Sequence, residues 1–114
     1  MDHLENQAKD QDMDQANEFI QQEKAKIVAE TAKINWKELE TFFAQGKLIL
    51  VDPTLDLIEV AYSITTDDSK QVEQWMQAGT LSRNFTEKAI ELEKHNKECW
   101  SVVIKPWVLI QEPS

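Results

Sequence analysis

Hydrophobic and polar positions along the chain predict β-strands in two places. Residues 47–51 contain four consecutive apolar side chains, a pattern typical of a strand covered on both faces. In the arm of residues 99–111, apolar and other residues alternate up to Pro106, and a second apolar run follows. Because proline cannot donate a hydrogen bond to a neighbouring strand, Pro106 indicates a sheet edge, a bulge or a bend. We expect this arm to pair with residues 47–51 in a small sheet of two to four strands.

Helical spacing of apolar residues occupies most of the remaining chain. Residues 16–33 contain no glycine or proline and carry isoleucines seven positions apart, which predicts an amphipathic helix with a narrow apolar face. Asn35, with a glutamate three residues later, is typical of a capping box at a helix start, and Gly46 is typical of a helix end. Similar start signals at Asp68 and Asn84 predict two further helices.

The segment that follows the first predicted strand fits both a helix and a strand. Asp52 before Pro53 is a favourable helix start, because aspartate caps well and proline suits the first helical position. Between Ile58 and Ile64, however, β-branched and aromatic residues alternate as in a strand. The start signal favours the helix. The sequence therefore predicts a single α+β domain over residues 16–114, with four or five helices packed on the small sheet.

The charge of the chain argues against several classes of function. Its formal net charge is −9, whereas nucleic acids and anionic membranes are bound through basic patches. Residues 1–15 hold five acidic residues, one lysine and little apolar surface, so we expect a disordered tail there. The N-terminus lacks the basic and apolar regions of a signal peptide, and no apolar stretch approaches the roughly 20 residues that span a bilayer. We expect a cytoplasmic protein that binds neither nucleic acid nor membrane.

Three segments of the chain carry a family resemblance. They are TAKINWKELETFFAQGKLILVDPTLDLIEVA, DDSKQVEQWMQAGTL and WSVVIKPWVLIQE, in that order, and VDPTLDLIEVA and PWVLIQE are the most distinctive parts. Together they resemble a small bacterial family catalogued only as a domain of unknown function, family 2288, from about Glu18 to Glu112. The resemblance implies a bacterial cytosolic protein. It brings no activity, cofactor or catalytic residue to this chain.

Three carboxylates near the first predicted strand are candidates for a site. Asp52, Asp56 and Glu59 could hold Mg²⁺ or exchange protons with a substrate. The simpler interpretation is that Asp52 caps a helix and that the other two lie near its N-terminus, where negative charge is favourable. A pocket near Asp52, Asp56 and Tyr62 would suit a small ligand or a minor enzymatic activity.

The single cysteine, Cys99, lies four residues after His95, a spacing that brings ligands together on one helix face. Asn96 is expected to end that helix, however, and the only other histidine is His3. A Cys–His nucleophile would also need spatial proximity and an oxyanion hole. We therefore expect no metal, no cofactor and no catalytic residue, with Cys99 a small buried side chain.

Four tryptophans are many for a chain of 114 residues. They can fill the core, or they can line an interface, where tryptophan is enriched among the residues that dominate binding. Trp107 follows the proline of a predicted edge strand, and with Leu109 and Trp100 it forms the candidate interface. An open edge pairs readily with another chain, and a second copy across a two-fold axis is the simplest partner. The sequence thus favours a non-enzymatic module that acts through a protein interface, with itself or with another protein. A small-ligand binder or minor enzyme is the alternative.

Overall fold

The computed structural model describes the backbone of residues 2–113 and the side chains of residues 15–113. This part of the chain forms an α+β domain with five helices and five strands. In chain order they are α1 (Asp2–Glu30), β1 (Ala32–Asn35), α2 (Trp36–Ala44), β2 (Leu48–Val51), α3 (Leu57–Thr65), α4 (Ser69–Gln77), β3 (Leu81–Ser82), α5 (Thr86–His95), β4 (Glu98–Ile104) and β5 (Trp107–Gln111). The predicted fold class is confirmed, but the sheet has one strand more than the two to four that were expected.

The sheet has the strand order β1-β4-β5-β2-β3, with β5 parallel to β2 and all other neighbours antiparallel. The expected pairing of the C-terminal arm with residues 47–51 is confirmed for β5. The prediction that this arm forms an open edge was wrong, because β5 is paired on both sides. Pro106 lies in the turn between β4 and β5, where the absence of an N–H interrupts no strand pairing.

Helices cover both faces of the sheet, as the apolar run in β2 predicted. Ile49 and Val51 pack with α1, α3 and α4 on one face. Leu48 and Leu50 pack with α2 and α5 on the other face. Successive side chains of a strand point to opposite faces, so four consecutive apolar residues serve both layers.

The helix after β2 starts later than the sequence indicated. The carboxylate of Asp52 accepts hydrogen bonds from the backbone N–H of Thr54 at 2.9 Å and from its hydroxyl at 2.7 Å. These bonds form a turn, which holds the pKa of Asp52 below its usual value. The helix α3 begins at Leu57 instead, capped by the carboxylate of Asp56, which accepts from the N–H of Ile58 and Glu59. The segment is therefore a helix, but its cap is Asp56 and not Asp52.

Two predicted capping boxes do not form. Asn35 occupies the N-cap position of α2, yet its side chain makes no capping bond, because its backbone belongs to β1. The first N–H groups of α2 donate to Lys97 O at 2.9 Å and to the side-chain oxygen of Asn96 at 3.3 Å. The helix α5 starts one residue later than predicted and has Phe85, not Asn84, at its N-cap position.

Other helix ends agree with the sequence. Asp68 caps α4 by accepting from the N–H of Gln71, and Gly46 and Gly79 follow α2 and α4 with positive φ angles of 71° and 78°. Such angles favour glycine because it has no Cβ. Asn96 ends α5 in the left-handed conformation.

The N-terminal helix runs through most of the segment expected to be a disordered tail. Its backbone is helical from Asp2, but the side chains of residues 1–14 lie outside the described part of the chain. Whether residues 1–15 are needed by the domain therefore stays a prediction. From Gln15 onward, α1 packs on the domain through the buried Ile27 and through an ion pair between Lys24 and Glu59 at 2.6 Å. Among the described residues, no helix has the length and apolar character needed to span a bilayer.

Candidate functional site

Two adjoining cavities lie on the sheet face that is covered by α1, α3 and α4. Their volumes are about 500 and 550 Å³. Ile64, Asp67 and Trp107 line both of them, so together the two cavities form one continuous cleft. We call it the Trp107 cleft. The cavity that reaches α4 is its inner half, and the cavity that reaches α1 is its outer half.

The inner half has an apolar floor and a polar rim. Ile49 of β2, Ile64 of α3 and Val72 and Met76 of α4 supply the floor. These residues come from three elements because α3 and α4 pack against each other on one face of the sheet, with α3 over β4 and β5 and α4 next to β3. An apolar floor with a few polar groups around it is typical of ligand sites.

Trp107 lines both halves of the cleft. As the first residue of β5 it is opposite Ile104, and its side chain points to the same face as the buried Leu109 two residues later. The guanidinium of Arg83 lies over its ring, 4.4 Å from the centroid. Arg83 also donates a hydrogen bond of 3.4 Å to the carbonyl oxygen of Gly46. Trp107 is thus half-buried and held from one side, so it is a preorganised aromatic surface.

Charged side chains line the rim of both halves. The inner half has the carboxylates of Asp67, Asp68 and Glu73 beside the single arginine of the chain, Arg83. The outer half has acidic and basic residues of α1 and the β4–β5 turn. These are Glu23, Lys26, Glu30 and Lys105.

Asp67 occupies a special position in this rim. It lies in the connection between α3 and α4, and its φ of 61° places it in the left-handed region, which aspartate tolerates better than most residues. Asp56 and Asp68 use their carboxylates as helix caps, whereas Asp67 is exposed and belongs to neither cap. Asp67 lines both halves of the cleft.

Asp52, Asp56 and Tyr62, near which the sequence suggested a pocket, do not line the Trp107 cleft. Asp52 forms its turn and Asp56 caps α3. The ammonium of Lys24 lies 5.3 Å from the ring centroid of Tyr62 and bonds Glu59 at 2.6 Å. These groups have partners within the fold, and a site near them stays a prediction.

The three predicted interface residues have different surroundings. Leu109 is completely buried in the centre of the sheet, so its side chain is not accessible to a partner. Trp100 is 38% exposed on β4, and the ammonium of Lys33 lies 5.0 Å from its ring centroid. Of the three residues, Trp107 alone lines the cleft.

His95 and Cys99 are not neighbours on one helix face. His95 is exposed in the last turn of α5, and Cys99 is completely buried in β4. Burial raises the pKa of the Cys99 thiol to about 11, and the negative charge of Glu112 adds to the shift. Among the described side chains, no three His, Cys, Asp or Glu residues are grouped as metal ligands would be.

Sequence reasoning missed Ile64, Asp67 and Arg83 as cleft residues. A weak signal was present for two of them, since Asp67 lies in the break between two helices and Arg83 is the only arginine. Nothing in the sequence showed that the α3–α4 connection faces the β4–β5 turn, because these segments are about 40 residues apart.

Comparison with known proteins matches the domain to one protein family. The model of a family described as "Protein of unknown function (DUF2288)" matches residues 22–112, a range that includes every element lining the cleft. The NMR solution structure of PA1075 from Pseudomonas aeruginosa is similar to this chain, with 43% sequence identity and a TM-score of 0.71. That similarity covers 79% of this chain and 83% of the other. No curated protein is significantly similar to the chain.

Proposed function

The chain belongs to the DUF2288 family, and on that premise we propose that it is a non-enzymatic module that acts through a protein interface at the Trp107 cleft. The observation that carries the proposal is the position of Trp107 between two adjoining cavities. A partner segment that places one side chain in each half of the cleft would enclose the ring and exclude water from it. Tryptophan in such a setting is typical of residues that dominate binding energy.

The shape of the cleft favours a chain segment as its occupant. The two halves share three lining residues, and together their lining includes residues of α1, α3 and α4. Most of the apolar lining belongs to helices and strands, so the floor of the cleft is preformed and loses little entropy on binding. These features support the recognition of a peptide segment.

We also propose that the module acts in the cytoplasm of a bacterium. One cysteine cannot form a disulfide within the chain, which agrees with a reducing compartment. The 43% identity to a Pseudomonas aeruginosa protein supports a bacterial source.

A second candidate function is the binding of a small ligand, as the sequence also suggested. The observation that favours it is the inner half of the cleft, whose volume of about 500 Å³ is within the usual range of ligand pockets. On this interpretation the ligand lies against Ile64, Met76 and Trp107.

Peptide display tests the interface directly. Random peptides are selected on the wild-type protein alone, and the affinities of the enriched peptides for wild type and for Trp107→Ala are then measured by titration calorimetry. We expect the peptides to share a motif with two apolar positions, and to bind Trp107→Ala at least tenfold more weakly, a loss of about 1.4 kcal/mol.

Trp100→Ala is the matched control, because it removes another partly exposed tryptophan on the same sheet. It should leave the affinities unchanged. If no peptide is enriched, or if the peptides bind Trp107→Ala as well as wild type, the proposed interface is wrong.

A further inference from the structure

We infer that the partner segment of the Trp107 cleft is basic, with lysine or arginine side chains next to its apolar anchors. This inference rests on the proposed function and names the chemistry of the partner. It follows from the charges around the cleft, from the groups that already hold some of those charges, and from the net charge of the chain.

The inner half of the cleft presents more negative than positive charge. Three carboxylates face one guanidinium there, that of Arg83. The guanidinium of Arg83 already has partners within the fold, because it stacks on Trp107 and donates to Gly46 O. Asp68 is occupied as the cap of α4, and Glu73 accepts a bond of 3.4 Å from Gln77. The carboxylate of Asp67 and the outer oxygen of Glu73 therefore remain for a cation on the partner.

The outer half adds no net charge of its own, because two acidic and two basic residues line it besides the shared Asp67. Glu23 and Glu30 line it on α1, with Asp67 at its inner end, against Lys26 and Lys105. The ammonium of Lys26 lies 3.3 Å from Glu23, so that pair is largely neutral. Glu30, Lys105 and the shared Asp67 then remain in the outer half, an excess of one negative charge. A cation on the partner would reduce the repulsion between the carboxylates of the cleft.

The charge of the whole chain acts in the same direction. A net charge of −9 attracts a basic segment at long range and raises its association rate at low ionic strength. The same charge repels an acidic segment and a second copy of this chain. A neutral apolar segment would fill the floor of the cleft but would leave the rim carboxylates without partners.

Three matched peptides test the inference. Each carries the same two leucines, flanked by lysines, serines or glutamates, and each is titrated into the full chain at low and at physiological salt. We expect the lysine peptide to bind at least about fivefold more tightly than the serine peptide. The reason is that exposed ion pairs contribute up to about 1 kcal/mol each. The advantage should shrink with added salt. The glutamate peptide should bind most weakly.

Charge variants test whether the preference for the lysine peptide depends on the carboxylates at the rim of the cleft. Asp67→Asn with Glu73→Gln removes two rim charges, and asparagine tolerates the left-handed backbone at position 67. Glu40→Gln with Glu93→Gln removes the same number of charges from exposed sites of α2 and α5 outside the cleft. Only the first pair should abolish the preference for lysine over serine, with the serine peptide unaffected.

The outcomes separate the two proposals. If the serine peptide binds as tightly as the lysine peptide, and Trp107→Ala weakens both, the cleft is an interface but the partner is not basic. If both pairs of charge variants reduce lysine binding equally, the attraction is a property of the whole chain and the inference about the rim is wrong. If Trp107→Ala weakens neither peptide, the proposed function fails.

Discussion

At the scale of single residues, burial determines the chemistry of Cys99. Its side chain is fully enclosed between the sheet and the helices α2 and α5. Removal from water disfavours the thiolate and is the largest cause of its raised pKa. The thiolate is the nucleophilic form of cysteine, so this thiol is poorly reactive at neutral pH.

Thiol labelling checks this conclusion. With a folded-state pKa of about 11 against an ordinary 9.0, the thiolate fraction at pH 8 is reduced about a hundredfold. We expect the native protein to react with a disulfide reagent at least about a hundredfold more slowly than the same protein in denaturant. Cys99→Ser should not react in either state. Equal rates for native and unfolded protein would mean that Cys99 is accessible.

At the scale of elements, helix capping shows why a start signal in the sequence is not always used. Asp56 and Asn35 are both chemically suited to cap a helix. Asp56 precedes α3 and is free to turn its carboxylate to the N–H groups of that helix, at 2.9 and 3.4 Å. Asn35 is fixed in β1 opposite Glu98, and Asn96 from another part of the chain supplies the oxygen for α2.

Alanine substitutions distinguish the two caps. Asp56→Ala should lower the free energy of unfolding by about 1 kcal/mol, because two N–H groups lose their acceptor. Asn35→Ala removes no side-chain capping bond and should change stability by much less. Asn96→Ala should cost more than Asn35→Ala. Chemical denaturation of the three variants measures these differences, and an equal loss for Asn35→Ala and Asp56→Ala would contradict the structure.

At the scale of the whole molecule, we expect residues 1–15 and the later part of α1 to contribute differently to the stability of the domain. The apolar contact between the described part of α1 and the core is made by Ile27, and the ion pair of Lys24 with Glu59 lies one turn away. Both lie after residue 15. We therefore retain the prediction that residues 1–15 contribute little to folding.

Truncation of the N-terminus tests the prediction that residues 1–15 contribute little to folding. Deleting residues 1–15 should change the melting temperature by only a few degrees, since about 1 kcal/mol corresponds to roughly 4–8 °C in a domain of this size. Deletion through residue 30 is the control and should lower it strongly, because Ile27 is lost from the core. A large drop from the shorter deletion would show that the N-terminal segment packs on the domain. Sedimentation velocity of the same proteins reports whether they self-associate.

The sequence by itself determined the features that depend on neighbouring residues. The apolar run of β2 required cover on both faces, Asp68 supplied a cap for the helix directly after it, and Gly46 and Gly79 allowed the chain to leave helices with positive φ. Local backbone sterics and hydrogen bonds fix these features, so they can be inferred from short stretches. The family resemblance was likewise contained in the order of the segments, and it is confirmed by the match over residues 22–112.

The tertiary structure alone decided the features that depend on distant partners. The strand β1 forms because β4 lies beside it, and β5 became a central strand because β2 pairs with its second edge. The Trp107 cleft joins residues of α1, α3, α4 and β5 with Arg83, and its position depends on how these elements pack. The sequence suggested Trp107 as an interface residue on the premise of an open strand edge, whereas β5 is paired on both sides, so that role stays a proposal that rests on the cleft. Sequence patterns specify which side chains are apolar or charged, and only strand pairing and helix packing determine which of them meet.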